Sequence, residues 1–175
     1  MFRDWGNTAE LFDKNLTSKL YWLLAVTGFL RASDINRIDD SKTIIALGIL
    51  NLAIVSPKEK RKGRPIIHHF QISRHIDQTL CPVYTDVVYK QRIAQTSCPT
   101  PHFNNSSIIV NRLLRYIKYH TKPLMLDRIT RYLHLLSGLI NRPPNTPIPK
   151  ARAIGATLAS SAGVLADDIV THAFW

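Results

Sequence analysis

Cysteine is scarce in this sequence, with only Cys81 and Cys98 among 175 residues. They form no CxxC pair, and two thiols are too few for a disulfide framework or a structural zinc site. No apolar run approaches the ~20 residues that a membrane-spanning helix needs, and the N-terminus lacks the pattern of a signal peptide. We therefore expect a reduced intracellular protein with no membrane partner, nuclear if eukaryotic and otherwise cytoplasmic.

The motifs of several common enzyme classes are also missing. No GxxxxGK[ST] or GxGxxG loop is present to bind nucleotide phosphates, and no HExxH to bind zinc. His68 and His69 are adjacent on a predicted strand, so their side chains should point to opposite faces. Neighbouring aspartates at 39–40 and 167–168 do not face one another on a helix, which argues against a paired-acid mechanism. We expect no metal and no small-molecule cofactor.

Acidic residues are few: 12 Asp and Glu stand against 23 Lys and Arg, which gives a formal net charge of +11 and a pI near 10.0. Such an excess favours a polyanionic partner, nucleic acid above all, although a ribosomal-type or merely soluble basic protein has the same composition. The hydrophobic content of 45% is enough for a packed core. The length predicts one domain, or a domain with a fragment of another.

Helices are predicted at the N-terminal side of the chain. Asn7 and Glu10 have the spacing of a capping box, which predicts a helix running towards Phe29. A second, shorter helix is predicted to begin at Ser33 or Asp34, since either residue can cap it.

The β-forming residues are concentrated between 43 and 72. They predict two or three short antiparallel strands joined by a basic hairpin, Ser56–Pro65, whose plainer interpretation is a solvated turn. The rest is predicted as a helix over 80–95, a loop over 96–107, helical segments over 108–119 and 127–140, an extended connector over 141–150, and two final helices separated by a turn at Gly163. The fold class is thus α+β, mostly α-helical, with a small antiparallel sheet at about 43–72.

Cations stand at the junctions between these elements, with Arg31 after the first long helix, lysines in the hairpin, and Arg152 at the start of a late helix. Two fixed guanidinium groups can bind the oxygens of a phosphodiester through paired hydrogen bonds. A hairpin lysine can protonate a leaving oxygen. The plainer interpretation of Arg31 is a cation that stabilises a helix end.

Five segments, in order, resemble the tyrosine recombinases, the phage-integrase-type enzymes that break and rejoin DNA. They are AVTGFLRASDINRID (25–39), SPKEKRKGRP (56–65), LCPVYTDVVYKQRI (80–93), TKPLMLDRITRYL (121–133) and ARAIGATLASSAGVLADDIV (151–170). The last segment is most similar to the eukaryotic retroelement or crypton-like branch. The resemblance implies the fold of that family's catalytic domain, double-stranded DNA as partner, and self-association on DNA.

The resemblance also implies site residues. Arg31 and Arg152 would be the two phosphate-binding arginines, Lys58 the hairpin lysine, with Lys60 as the alternative, and Trp175 would occupy the family's His/Trp position. Further DNA contacts are expected from the hairpin cations Lys60, Arg61, Lys62 and Arg64, and from Lys150 near Arg152.

Two departures from the family pattern limit the implied chemistry. Pro149 stands where the family has a histidine, three residues before the second arginine. The nucleophilic tyrosine of the family lies beyond the His/Trp position, whereas all six tyrosines here precede Arg152. We therefore expect residues 1–175 to be one C-terminally incomplete catalytic domain, without the family's N-terminal core-binding domain, that binds DNA but does not cleave it. The alternatives are a non-catalytic DNA-binding module, a degenerate mobile-element remnant, or a basic RNA-associated protein.

Overall fold

The structure is a computed structural model that describes residues 1–61, 64–102 and 105–173, without the side chains of 56–61, 64–65 and 173. The helices of eight residues or more, and one short helix, are α1 (Asp13–Thr27), α2 (Ala32–Asn36), α3 (Pro82–Arg92), α4 (Leu126–Gly138), α5 (Ala151–Ser161) and α6 (Ala166–Ala173). The strands are β1 (Ile44–Ala46), β2 (Ile49–Arg61), β3 (Arg64–Ser73), β4 (Pro99–His102), β5 (Asn105–Asn111), β6 (Arg115–Tyr116) and β7 (Tyr119–Pro123). The predicted α+β class, mostly helical with a small antiparallel sheet, is confirmed.

Helix α1 is the central element of the core, since it is buried on most sides and packs against α3, α4 and α5. Its predicted start is wrong. The Asn7 side chain caps only a 3-10 turn, Thr8–Glu10, by accepting from the amide of Ala9 at 3.1 Å. The chain then extends through Leu11 and Phe12 before α1 begins at Asp13. The turn folds back on α1, where the buried Lys19 donates to the Thr8 hydroxyl at 2.7 Å.

Strands β1, β2 and β3 form the predicted antiparallel sheet, in that order. The basic segment is more strand than turn, because β2 continues to Arg61 and β3 resumes at Arg64, which pairs with it. The register shifts between Ser56, opposite Ile66, and Lys60, opposite Pro65. Three residues of β2 therefore bulge out of the ladder at that point.

The predicted loop over 96–107 and helix over 108–119 are both wrong, because two β-hairpins, β4–β5 and β6–β7, occupy this stretch. Strand β5 reads NSSIIVN, in which Val110 is fully buried and Ile109 is half exposed, the two-residue alternation of a strand. The cluster of isoleucines and valine suits a pleated surface better than a helix. The amide of Cys98 closes the base of the hairpin by donating to the Asn111 side chain.

A buried polar network fixes the second hairpin to α3. Arg115 is fully buried, and its guanidinium donates to the carbonyls of Leu113 and His120 and lies 3.5 Å from Asp40. Lys90 lies 3.0 Å from Asp40 and 3.5 Å from the buried Asp86. Burial, partly offset by Lys90, raises the pKa of Asp86 to about 6.

The C-terminal helices match their predictions. α4 is followed by residues 141–150, which form no helix or strand, and then by α5 and α6 with Gly163 between them in a left-handed conformation (φ 86°). Helix α5 approaches α1 closely at Gly155. A Cβ atom there would overlap the carbonyl oxygen of Val26 and lie 2.8 Å from its carbonyl carbon. No helix within the described ranges is long and apolar enough to cross a membrane.

Candidate phosphate-binding cleft

Arg31 is held at the beginning of α2 by local backbone geometry. After α1 ends, Phe29 takes a left-handed conformation (φ 50°). Arg31 is then the residue that caps α2 (φ −78°, ψ 158°), and its amide donates to the Asp34 carboxylate at 2.9 Å. The prediction that Ser33 or Asp34 caps this helix is therefore wrong. Asp34 acts from the third helical position, where its carboxylate satisfies the amide of the capping residue.

Arg152 is positioned by the start of α5 and by the close approach at Gly155. Lys150 is extended and caps α5, so Arg152 is the second helical residue. Gly155 lies about one turn further on, against the last turn of α1 at Val26. Because α2 follows α1 after a short turn, this approach brings the beginning of α5 beside the beginning of α2. Two arginines far apart in the sequence are thus brought to one place.

Both arginines line a cavity of about 590 Å³, which we call the Arg31 cleft. Its described lining residues come from α2, α4, the connector and α5: Leu30, Arg31, Ala32, Thr130, Leu133, His134, Ser137, Ile148, Pro149, Lys150, Ala151 and Arg152. Arg31 is exposed at the cleft and Arg152 is half-buried. The cleft therefore combines an apolar floor with cations near its opening.

Arg31 and Arg152 interact electrostatically at the cleft. Partial burial lowers the pKa of the Arg152 guanidinium, the nearby charge of Arg31 lowers it further, and the Asp34 carboxylate opposes both effects. Among the ion pairs formed by described residues, none involves Arg31. Two like charges that line one cleft repel each other, and an anion bound between them would relieve that repulsion. Paired guanidinium groups suit the oxygens of a phosphate.

The other predicted site residues divide into three groups. Lys150 lines the Arg31 cleft and is exposed. Lys58, Lys60, Arg61 and Arg64 lie on β2 and β3, with Lys58 in the irregular stretch of β2, but their side chains lie outside the described residues. Lys62 and Trp175 lie wholly outside the described residues. The roles predicted for these side chains thus stay predictions.

His134 is a cleft residue that the sequence did not single out. It lies on α4, is exposed, and is the one histidine among the described lining residues. Pro149, at the position where a histidine was expected, lines the same cleft. The available signal was the helical spacing of Thr130, Leu133, His134 and Ser137, which places all four on one face of α4.

His172 fastens α6 to the turn that precedes Arg31. Its Nε2 donates to the carbonyl of Thr27 at 3.2 Å. Its ring meets the rings of Phe29 and Phe70 edge-on, with centroids 5.1 and 5.8 Å away. The left-handed turn at Phe29 is thus held by α5 through Gly155 and by α6 through His172.

The described residues that line the cleft include no cluster of metal ligands and no tyrosine nucleophile. In the part of the chain that the structure describes, no three of His, Cys, Asp and Glu are placed to hold a metal ion. None of the six tyrosines is among the residues that line the cleft. What the described side chains offer is anion binding.

No protein-family model matches the sequence, and no curated protein matches it. Among solved structures, the chain is similar to the Tn1549 transposon integrase in complex with transposon right end DNA (TM-score 0.50, 15% identity). It is equally similar to the same integrase in complex with a circular intermediate DNA (TM-score 0.50, 14% identity). Each alignment covers 89% of this chain and 49% of the other, so this chain spans about half the length of the integrase. At this identity the similarity establishes the fold, which is the fold that the resemblance implied.

Proposed function

We propose that this chain is a DNA recombination or integration domain of the tyrosine-recombinase type, in which Arg31 and Arg152 bind one phosphate of duplex DNA. The observation that carries the proposal is the meeting of these two arginines in the Arg31 cleft. They are also the two arginines that the resemblance singles out. The crypton-like or retroelement branch is the finer assignment, supported by the residues of α5 and α6.

The geometry suits a phosphate of a large ligand better than a free metabolite. Arg31 is exposed, and Lys150 extends the positive charge beyond the cleft. The net charge of +11 favours a long polyanion. The integrase with which this chain shares its fold was solved in complex with DNA.

Strand cleavage is not part of what we propose for residues 1–175 by themselves. None of the six tyrosines lines the Arg31 cleft, so no phenolic oxygen of this chain is placed to attack a phosphate held there. The hairpin lysine (Lys58, or Lys60 instead) and the Trp175 indole would add donors around the same phosphate.

The test is equilibrium binding of the 175-residue protein to a labelled 30-base-pair duplex, measured by fluorescence anisotropy. Single-stranded DNA and duplex RNA of the same sequence serve as competitors. We expect Arg31→Ala to weaken duplex binding by roughly tenfold or more, as loss of a charge-assisted hydrogen-bonding partner does. The matched control is Arg131→Ala, which removes an exposed arginine from α4 that does not line the cleft. Equal losses from the two variants would overturn the proposed site.

A second candidate function is that of a non-catalytic DNA-binding module, and one observation favours it. Pro149, which cannot donate or accept through its side chain, lines the cleft where a catalytic imidazole would be expected. This alternative predicts that Arg31 behaves as one cation among many, with a small, uniform loss of affinity. A covalent protein–DNA adduct resistant to denaturant would exclude the alternative and also our proposal that the chain does not cleave.

A further inference from the structure

A second arginine pair lies at the other end of α2. Arg37 follows the last residue of α2, and Arg112 follows β5. Both line a separate cavity of about 380 Å³, which we call the Arg37 cleft. Its walls are α2, the β4–β5 hairpin and the chain that enters α4. The five-residue helix α2 therefore has an arginine-lined cleft at each end.

Arg112 is built firmly into this cleft. Its side chain is 7% exposed, and Nη1 donates to the carbonyl of Asn36, the last residue of α2. That carbonyl is one of those left unpaired at a helix C-terminus, so a single hydrogen bond accounts for the structural role of Arg112. In the described part of the chain no other acceptor is bonded to its guanidinium. Most of its donors are thus not needed for the fold.

Arg37 adds a second positive charge to the Arg37 cleft. It is half-buried, and burial lowers its pKa, while Asp34 opposes that effect. Burial also lowers the pKa of Arg112, and the charge of Arg37 lowers it further, while Cys98 and Asp39 oppose these effects. Among described residues no carboxylate forms an ion pair with either arginine.

The two nearby carboxylates are committed elsewhere. Asp34 accepts from the amide of Arg31 at 2.9 Å. Asp39 is buried, accepts from the hydroxyl of Ser41 at 2.6 Å and lies 3.2 Å from the ammonium of Lys42. Neither lines the Arg37 cleft. Two partly desolvated guanidinium groups that line one cavity, with no carboxylate among its described lining residues, form a site that an oxyanion would neutralise.

We propose that Arg37 and Arg112 form a second binding site for a phosphate group, distinct from the Arg31 cleft and independent of the function proposed for it. Ser33 and Thr100 line the same cavity, and their hydroxyls donate to Asp34 at 3.5 Å and to the carbonyl of Cys98 at 3.3 Å, so each must rotate to donate to a phosphate. The phosphate can belong to the backbone of bound DNA or to a free phosphate or nucleotide. Arg31 and Arg37 are separated by about 9 Å along α2 at ~1.5 Å per residue. That is between two and three times the ~3.4 Å axial spacing of phosphates in one strand.

The first experiment probes the site with inorganic phosphate. The arginine Nε–Hε signals of the ¹⁵N-labelled protein are followed by NMR during titration with phosphate, at constant ionic strength set by sodium chloride. We expect the signals of Arg37 and Arg112 to shift saturably. Arg37→Gln should abolish the saturable shift of Arg112, whereas Arg31→Gln, in the other cleft, should leave it intact. Arg112→Lys keeps the positive charge but loses the planar guanidinium group that can donate two parallel hydrogen bonds. It should therefore weaken phosphate binding at least about tenfold.

The second experiment identifies the source of the phosphate by measuring duplex affinity over a range of salt concentrations. If the phosphate belongs to DNA, Arg37→Gln lowers duplex affinity by about tenfold and reduces the salt slope by about one, with Arg131→Gln as the matched control. If it belongs to a small molecule, duplex affinity is unchanged while the saturable phosphate response remains. The proposal is overturned if phosphate produces no saturable shift and Arg37→Gln matches the control on DNA.

Discussion

Replacement of Gly155 by alanine is the most direct perturbation of the contact that positions Arg152. A Cβ atom at this position would overlap the carbonyl oxygen of Val26 and would lie 2.9 Å from Cδ1 of Phe29. Backbone atoms cannot turn aside as a flexible side chain can, so α5 must move away from α1. Overpacking of this kind costs about 1–3 kcal/mol, against a helix-propensity gain of roughly 0.5–1 kcal/mol from glycine to alanine.

We therefore expect Gly155→Ala to lower the free energy of unfolding by about 1–2 kcal/mol, which corresponds to a fall in Tm of about 2–8 °C for a chain of this size. Urea unfolding followed by far-UV circular dichroism measures the difference. The control is Gly138→Ala, the same substitution in α4. There the nearest atom to the new Cβ would be Cδ1 of Ile148 at an ordinary 3.9 Å, so the control should be neutral or slightly stabilised.

The same variant should also weaken duplex binding, because Arg152 is carried by the displaced helix only three residues away. The reasoning fails if Gly155→Ala is as stable as Gly138→Ala. It also fails in part if Gly155→Ala is destabilised yet binds duplex DNA with the affinity of the parent chain. That result would mean that the α1–α5 approach supports the core but does not position the cation.

Three further variants test separate parts of the structure. Asp86→Asn should stabilise the protein at pH 7 by about 2–3 kcal/mol, because burial raises the pKa of this carboxyl to about 6. The ionised form therefore costs stability in the folded state, and the gain should vanish as the pH falls from 6 to 4; a gain independent of pH would contradict the assignment. Asp34→Ala removes the acceptor for the amide of Arg31 and should cost about 1 kcal/mol in urea unfolding, whereas no loss would show that α2 does not need this cap. His172→Ala loses the hydrogen bond to Thr27 and should speed elastase cleavage between α5 and α6 at residues 162–165; an unchanged cleavage rate would show that α6 is held by other contacts.

Sequence patterns predicted the elements whose local signals and tertiary environment agree. Helix α3 has proline in its first turn, α4 has an amphipathic stripe, and Gly163 separates α5 from α6. The β2–β3 hairpin was predicted from β-branched residues on both sides of a basic segment. In each of these elements, the spacing of the apolar residues and the Pro or Gly at its boundary predict the same structure.

The predictions were wrong where a local sequence pattern competed with tertiary contacts that cannot be read from the sequence. Asn7 and Glu10 have capping-box spacing, but the buried Lys19 needs the Thr8 hydroxyl, and the segment forms a separate turn over α1. Residues 108–119 carry enough apolar side chains for a helix. The hairpins instead satisfy the buried Arg115 with the carbonyls of Leu113 and His120, which no one-dimensional pattern reveals.

The candidate site was only partly predictable for the same reason. Arg31 and Arg152 were singled out by resemblance, but their meeting depends on the tertiary approach at Gly155, which sequence reasoning did not use. His134 lies on a face of α4 whose sequence pattern is that of an ordinary amphipathic helix. The pattern therefore did not indicate that His134 lines the cleft. The pair Arg37 and Arg112 was missed because their meeting depends on the β4–β5 hairpin, predicted as a loop.

The central claim, that Arg31 and Arg152 act together on one phosphate, is tested most directly by a double-mutant cycle on duplex affinity. The chain is compared with Arg31→Ala, Arg152→Ala and the double variant, with circular dichroism as a check that each is folded. We predict that each single variant loses roughly tenfold or more and that the double variant loses little beyond either one, because a phosphate released by one arginine no longer engages the other. Losses that multiply, each no larger than that of Arg131→Ala, would show that the two arginines are independent surface cations and would contradict the account.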